Sequence, residues 1–172
     1  IGLHAIFMAM KTGQKGHVIA FEPEVENYKN FERNASINKL TNIVLIPCAL
    51  GESSGEGMLY GAGSVASLIS HSSNSTSCQK VKIVRGDDVI RNKNLPIPRV
   101  VKIDVEGYEY HVIRGLQTAL SNEICQTICC EVHPTMLPSN IKSQMVIELL
   151  KSIGFNQIEI YPHHSTFHAI CF

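Results

Sequence analysis

The 172-residue sequence predicts a doubly wound α/β domain built on a mostly parallel sheet. Three observations carry that expectation. Short β-branched runs alternate with stretches of helical periodicity. Two of those runs stop at acids, Val18-Ile19-Ala20-Phe21-Glu22-Pro23 and Val100-Val101-Lys102-Ile103-Asp104-Val105-Glu106-Gly107, as buried strands do when they deliver charge to the carboxyl edge of a parallel sheet. Finally, two C-terminal strand-like segments are joined only by Pro162-His163-His164-Ser165, a link too short for a parallel crossover, so they must form an antiparallel hairpin.

Taken in order, residues 3–12 read as an amphipathic helix ended by Gly13 and Gly16. A strand is expected before that helix, ahead of Ile1, so the chain reads as one domain over 1–172 that is truncated at its N-terminus. Val18 to Glu22 is a short strand, after which Pro23 opens a helix to about Asn38, with Glu24 and Glu26 in its first turn and Tyr28, Phe31, Ala35 and Ile37 on its packed face. Ile43 to Cys48 is the next strand, reaching Ala49-Leu50-Gly51. Residues 52–78 are Gly- and Ser-rich, with one brief apolar piece at Met58-Leu59-Tyr60; Ser70 to Ser77 reads as a surface loop, with a substrate lid as the alternative. Val81 to Val84 is a strand, and Asp87-Asp88 begins a helical turn. The Val100–Asp104 strand precedes a helix from Tyr108 to Leu120, packed through Val112, Ile113, Leu116 and Leu120. Ile124 to Val132 is a strand bearing Glu131 and His133 at its end. A helix over 140–153, capped by Gly154, leads to the hairpin strands 155–161 and 166–172.

Composition excludes some functions. The net charge of zero gives no electrostatic reason to expect a nucleic-acid partner. No apolar run reaches the roughly 18 residues that a membrane span requires. Most of the six cysteines sit in apolar strand-like runs and none forms a C-x-x-C pair, which favours reduced, buried thiols and a cytoplasmic setting over disulfides or zinc.

The strand ends carry the chemistry. Glu22 closes a strand about 20 residues after Gly2, the spacing at which an acid accepts hydrogen bonds from the two ribose hydroxyls of a nucleoside; a helix-capping acid before Pro23 is the structural alternative. Asp104 and Glu106, two apart, point the same way if the strand continues through them. Asp104, Glu106, Glu131 and His133 are candidate proton acceptors at the same edge. His133 is the most suitable in pKa, unless it merely caps its strand before Pro134, and Glu106 can instead be a structural acid starting the next helix. No metal is assigned, although Asp104, Glu131 and His133 could hold a divalent cation that acidifies an acceptor. Lys102, inside its strand, needs a neighbouring acid.

The segments Val18-Ile19-Ala20-Phe21-Glu22-Pro23, Asn34 to Asn38, Ala49-Leu50-Gly51 and Lys102-Ile103-Asp104-Val105-Glu106-Gly107-Tyr108-Glu109, in that order, resemble the FkbM-type family of S-adenosylmethionine-dependent methyltransferases over essentially the whole chain. The resemblance implies a class I methyltransferase (Rossmann-like) fold, whose sheet ends with a strand inserted by a hairpin such as this one. It also implies methyl transfer to a hydroxyl on a sugar, polyketide or similar small molecule or glycan. Carried over, Glu22 holds the cofactor ribose, Gly2 is the last glycine of the loop around the methionine part, Ala49 lies by the adenine, and Asp104 sits beside the methionine end or the acceptor. Ser64 and Ser67 resemble the family's small polar segment near the cofactor. The Asp and first Gly of that glycine loop would precede Ile1. Two other classes stay open: a nicotinamide-dependent oxidoreductase, against which stand the absent G-x-G-x-x-G and the hairpin, and a non-catalytic remnant of the fold.

Overall fold

The computed structural model describes residues 1–61, 63, 66–69 and 78–172. The expected 70–77 loop and Ser64 lie outside the described residues.

Helix α1, Leu3–Thr12, follows Gly2 and stops at Gly13, both at positive φ. A Cβ on Gly2 would stand 2.6 Å from the Phe31 ring, so the close packing of α1's entry on the next helix requires glycine. The end of α1 is closed by the buried Asn42 side chain, which donates to the carbonyls of Ala9 and Gly13 at 2.9 Å each. Strand β1, Val18–Phe21, pairs in parallel with β2, Ile43–Ile46, and Glu22 extends that ladder by one bond, its N–H donating to the Ile46 carbonyl. Between them α2 runs Val25–Ile37. Its N-cap is Glu24, whose carboxylate accepts from the Asn27 N–H at 2.6 Å, so Pro23 lies before the helix and does not start it. Phe31 and Asn27 are its buried residues; Ile37, expected on the packed face, is exposed.

The run expected as one strand from Ile43 to Gly51 is split. Strand β3, Ala49–Gly51, leaves β2 and pairs in parallel with β5, Cys78–Arg85, whose other side takes β4, Gly55–Tyr60, antiparallel. Strand β4 falls in the stretch read as irregular. Gly57 lets the Ile83 side chain lie against its backbone, where a Cβ would meet Cδ1 at 2.6 Å. Helix α3, Gly86–Asn92, places the Asp87 carboxylate under the N–H groups of Thr118 and Ala119, capping α5, Gln117–Leu120. The helix expected over 108–120 is thus two pieces, α4, Glu109–Gly115, and α5. At the end of α4, a Cβ on Gly115 would lie 2.0 Å from the Gly51 carbonyl oxygen, so helix and β3 meet backbone to backbone.

The largest sheet has the order β6-β7-β9-β8, with β6 Val100–Ile103, β7 Thr127–Val132, β8 Ile158–His163 and β9 Thr166–Cys171. β6 and β7 are parallel, and β9 is antiparallel to both β7 and β8. The expected hairpin is present; its turn is His164-Ser165, with His164 at φ 50°, because Pro162 and His163 belong to β8. Helix α6, Ser143–Ile153, covers this sheet together with α4. Ile113, Leu120, Ile128, Val146, Leu150 and Cys171 are fully or almost fully excluded from solvent there, in an apolar cluster that gathers both helices and three strands. Among the described residues the fold is therefore mixed α/β, in three hydrogen-bonded sheets with three parallel and three antiparallel strand pairings. All six cysteines are free, and four of them are buried. No described helix is long and apolar enough to cross a membrane.

Candidate functional site

At the carboxyl end of β6 the strand stops at Ile103 and the chain reverses through Glu106 at φ 51° and Gly107 at φ 96°. The strand does not continue through Asp104 and Glu106, so the condition for their sharing a strand face is not met. The turn brings them together instead. Gly107 is obligatory in it: besides its φ, a Cβ there would stand 2.2 Å from the Met136 carbonyl oxygen.

His133, just past the end of the adjacent strand β7, faces this turn and is buried. Its Nε2 lies 3.5 Å from Glu106 Oε2, 3.9 Å from Asp104 Oδ1 and 4.0 Å from Glu131 Oε1. The other ring nitrogen, Nδ1, is 2.7 Å from Oε1 of Glu109, a carboxylate with no solvent exposure that also accepts from the Gly107 N–H at 2.9 Å. Glu109 thus fixes both the imidazole and the turn. The sequence reading missed its role, yet a signal existed: Glu109, Val112, Ile113 and Leu116 have the i, i+3, i+4, i+7 spacing of one helix face, which puts the acid on the packed side.

Glu131 is held from three directions. Thr166 Oγ1 donates to Oε1 at 3.0 Å, His168 Nε2 lies 3.0 Å from Oε2, and Lys102 Nζ is 3.6 Å from Oε2. The same ammonium is 3.7 Å from Asp104 Oδ2 and makes no hydrogen bond among the described residues, so the acid expected for Lys102 is a pair. Electrostatics follow. Burial pushes the Glu106 carboxyl up, with the charges of Asp104, Glu109 and Glu131 adding to it against the opposing pull of His133. Burial would lower His133, but its hydrogen bond to Glu109 and the charges of Glu109, Glu106 and Asp104 outweigh that and raise it. Burial likewise opposes ionisation of Glu131, yet Thr166, Lys102 and His168 hold its carboxyl below the usual value.

Glu22, at the end of β1, is half-buried, and burial raises its carboxyl against the Glu24 amide and Asn27. Its Oε1 accepts from the Glu24 N–H at 3.0 Å, the helix-entry contact held as the structural alternative, which leaves lone pairs for a diol. Gly2 packs on Phe31. Ala49 has a buried methyl group, so no exposed side chain stands behind its expected place by adenine. One short segment touches both the helix that follows Glu22 and the Glu106 turn. The Gly63 carbonyl accepts from Asn27 Nδ2 at 3.0 Å, while Ser67 Oγ donates to the Glu106 carbonyl at 2.7 Å. At ~3.6 Å per residue, the run between these anchors limits their separation to roughly 15–20 Å.

Comparison with known proteins gives three findings. The family described as Methyltransferase FkbM domain matches residues 1–164. The hexuronic acid methyltransferase AglP of Haloferax volcanii is 28% identical over 142 residues, 82% of this chain and 56% of that protein. The crystal structure of the methyltransferase FkbM from Methylobacillus flagellatus KT at 2.20 Å resolution superposes with a TM-score of 0.63 at 16% identity, over 99% of this chain and 40% of the other. The chain thus spans about half the length of the curated relative it matches, and the structural likeness speaks to the fold alone.

Proposed function

The chain belongs to the FkbM methyltransferase family, and we propose that it transfers a methyl group from S-adenosylmethionine to a hydroxyl of a sugar-class acceptor. The single-domain reading over 1–172 is part of this proposal. The observation that carries it is the gathering of Asp104, Glu131 and His133 at the ends of β6 and β7; Glu22 ends β1, and the helix after it and the Glu106 turn are each bonded to the segment that holds Gly63 and Ser67. The name of the Haloferax relative supports the acceptor class.

The residues present fit the cofactor at Glu22: a half-buried carboxylate that accepts from the Glu24 N–H through Oε1 keeps lone pairs for hydroxyl protons. When bound, S-adenosylmethionine supplies the electrophilic methyl group. Glu22 takes the ribose hydroxyls, and the Gly2 turn and the Ala49 segment border the same nucleoside. Asp104, Glu131 and His133 hold the acceptor hydroxyl in line and form the edge at which it loses its proton. Lys102 keeps Asp104 and Glu131 apart from each other's repulsion.

The test is calorimetric titration of S-adenosylmethionine into the full protein and its Glu22→Ala variant, paired with label transfer to uronic-acid and neutral oligosaccharides. Loss of affinity by at least ~10-fold, about 1.4 kcal/mol, is expected. An unchanged dissociation constant removes Glu22 from the cofactor site, and no label in any sugar product overturns the acceptor class.

A further inference from the structure

We propose that Asp104 Oδ1, Glu106 Oε2 and His133 Nε2 form a site for one divalent cation of the Mn²⁺ class. The three residues offer ligand atoms that all lie within 4.8 Å of one another, with His133 Nε2 at 3.5 Å from Glu106 and 3.9 Å from Asp104. Atoms so spaced can each stand ~2.0–2.5 Å from a common point, the length of a metal–oxygen or metal–imidazole bond. At their present separations they are too far apart to hydrogen-bond to each other.

A second, separate observation points to a ligand. The His133 side chain is 93% buried, since only 7% of it is exposed, and its Nε2 is aimed into this gap, 3.5 Å from Glu106 and without a hydrogen bond among the described residues. Its Nδ1 is committed to the buried Glu109, the arrangement that fixes tautomer and ring orientation in metal-binding histidines. Glu109 itself has an orphaned Oε2. Lys102 Nζ faces Asp104 Oδ2 and Glu131 Oε2, so among the described residues no ammonium stands at Asp104 Oδ1 or Glu106. Asp104, Glu106, Glu109 and Glu131 surround one imidazole, so a divalent ion bound there offsets part of their negative charge. One imidazole with two carboxylates suits Mn²⁺ better than Mg²⁺ or Ca²⁺, which take oxygen alone more readily.

The consequence rests on the methyl-transfer reading. A divalent ion cuts the negative charge of this edge and so eases the approach of an anionic sugar; with it bound, His133 acts as a ligand, held in place by Glu109 as a positioning residue.

The experiment titrates Mn²⁺ into the full protein, chelator-treated and without S-adenosylmethionine, reading calorimetry and the Mn²⁺ spin-resonance signal. One ion per chain is expected. Asp104→Asn and Glu106→Gln should each weaken binding at least 10-fold, and Glu109→Gln should do so by 10- to 100-fold. His164→Ala, in the exposed hairpin turn, should leave it unchanged, and circular dichroism checks that each variant is folded. Mg²⁺ and Ca²⁺ should displace Mn²⁺ only at higher concentration. No Mn²⁺ bound at millimolar concentration, or equal binding by folded Asp104→Asn and Glu106→Gln, overturns the site. Methyl transfer that persists in chelator with no ion bound overturns the ion's part in admitting the acceptor while leaving the enzyme reading intact; an ion held by an inactive protein supports the site and counts against the enzyme.

Discussion

Replacing Glu109 with alanine removes the one group that faces both His133 and the Gly107 turn. The carboxylate has no solvent exposure and its Oε1 accepts from the Gly107 N–H at 2.9 Å and lies 2.7 Å from His133 Nδ1. Truncation leaves two buried N–H groups without an acceptor, each worth ~1–3 kcal/mol, so stability should fall by ~2–6 kcal/mol. For a chain of this size that lowers the melting temperature by roughly 5–20 °C. Glu109→Gln keeps an acceptor oxygen and should cost less than half as much. It also deletes a negative charge beside the imidazole. Since that hydrogen bond and charge are what raise His133 against the lowering effect of burial, the His133 pKa should fall in Glu109→Gln. Urea denaturation gives the first quantity, and a chemical-shift titration of the imidazole the second. An alanine variant within ~0.5 kcal/mol of the parent, or a His133 titration unmoved in the glutamine variant, would refute the reasoning.

Two further outcomes follow from packing and ionisation. Gly115→Ala forces a Cβ to 2.0 Å from the Gly51 carbonyl and should cost ~1–3 kcal/mol, while Gly55→Ala, with nothing within 4 Å, should change stability by less than ~0.5 kcal/mol; equal denaturation midpoints would contradict the close approach of α4 and β3. Cys171 has no solvent exposure, and burial pushes its thiol up from 9.0 to about 12. Below pH ~9 both folded and unfolded chains keep that proton, but between ~9 and ~12 only the folded one does, so stability should drop as pH rises, by up to about 4 kcal/mol. Melting temperatures across pH 8–11 should show a shallower alkaline fall in Cys171→Ala, and parallel curves would argue against it.

Much of this architecture was legible in the residues. α1 is bounded by its glycines, β1 ends one residue before Glu22, and the hairpin follows from a link too short to cross over. What sequence periodicity could not show was set by partners distant in the chain. β4 carries Gly55, Glu56 and Gly57, weak strand formers in isolation, and is held by the ladder to β5. The split between β2 and β3 is a choice of neighbour that the apolar run from Ile43 to Leu50 does not encode. At the site, the residue types were readable and their geometry was not. Asp104 and Glu106 converge through two positive-φ residues, and not through the pleat of a strand running on past Ile103. Glu109 looked like an ordinary first-turn acid because its partner, His133, sits 24 positions away.

Strand β9 lies between β7 and β8 and brings Thr166 and His168 to Glu131. The order of synthesis therefore matters. A nascent chain that has emerged only as far as β8 presents β7 with a bare edge of backbone donors and acceptors, and Glu131 without two of its three restraints. During that interval the ribosome-bound domain is exposed to illegitimate strand pairing, and the rim becomes fully organised only when residues 166–171 slot into the middle of the sheet.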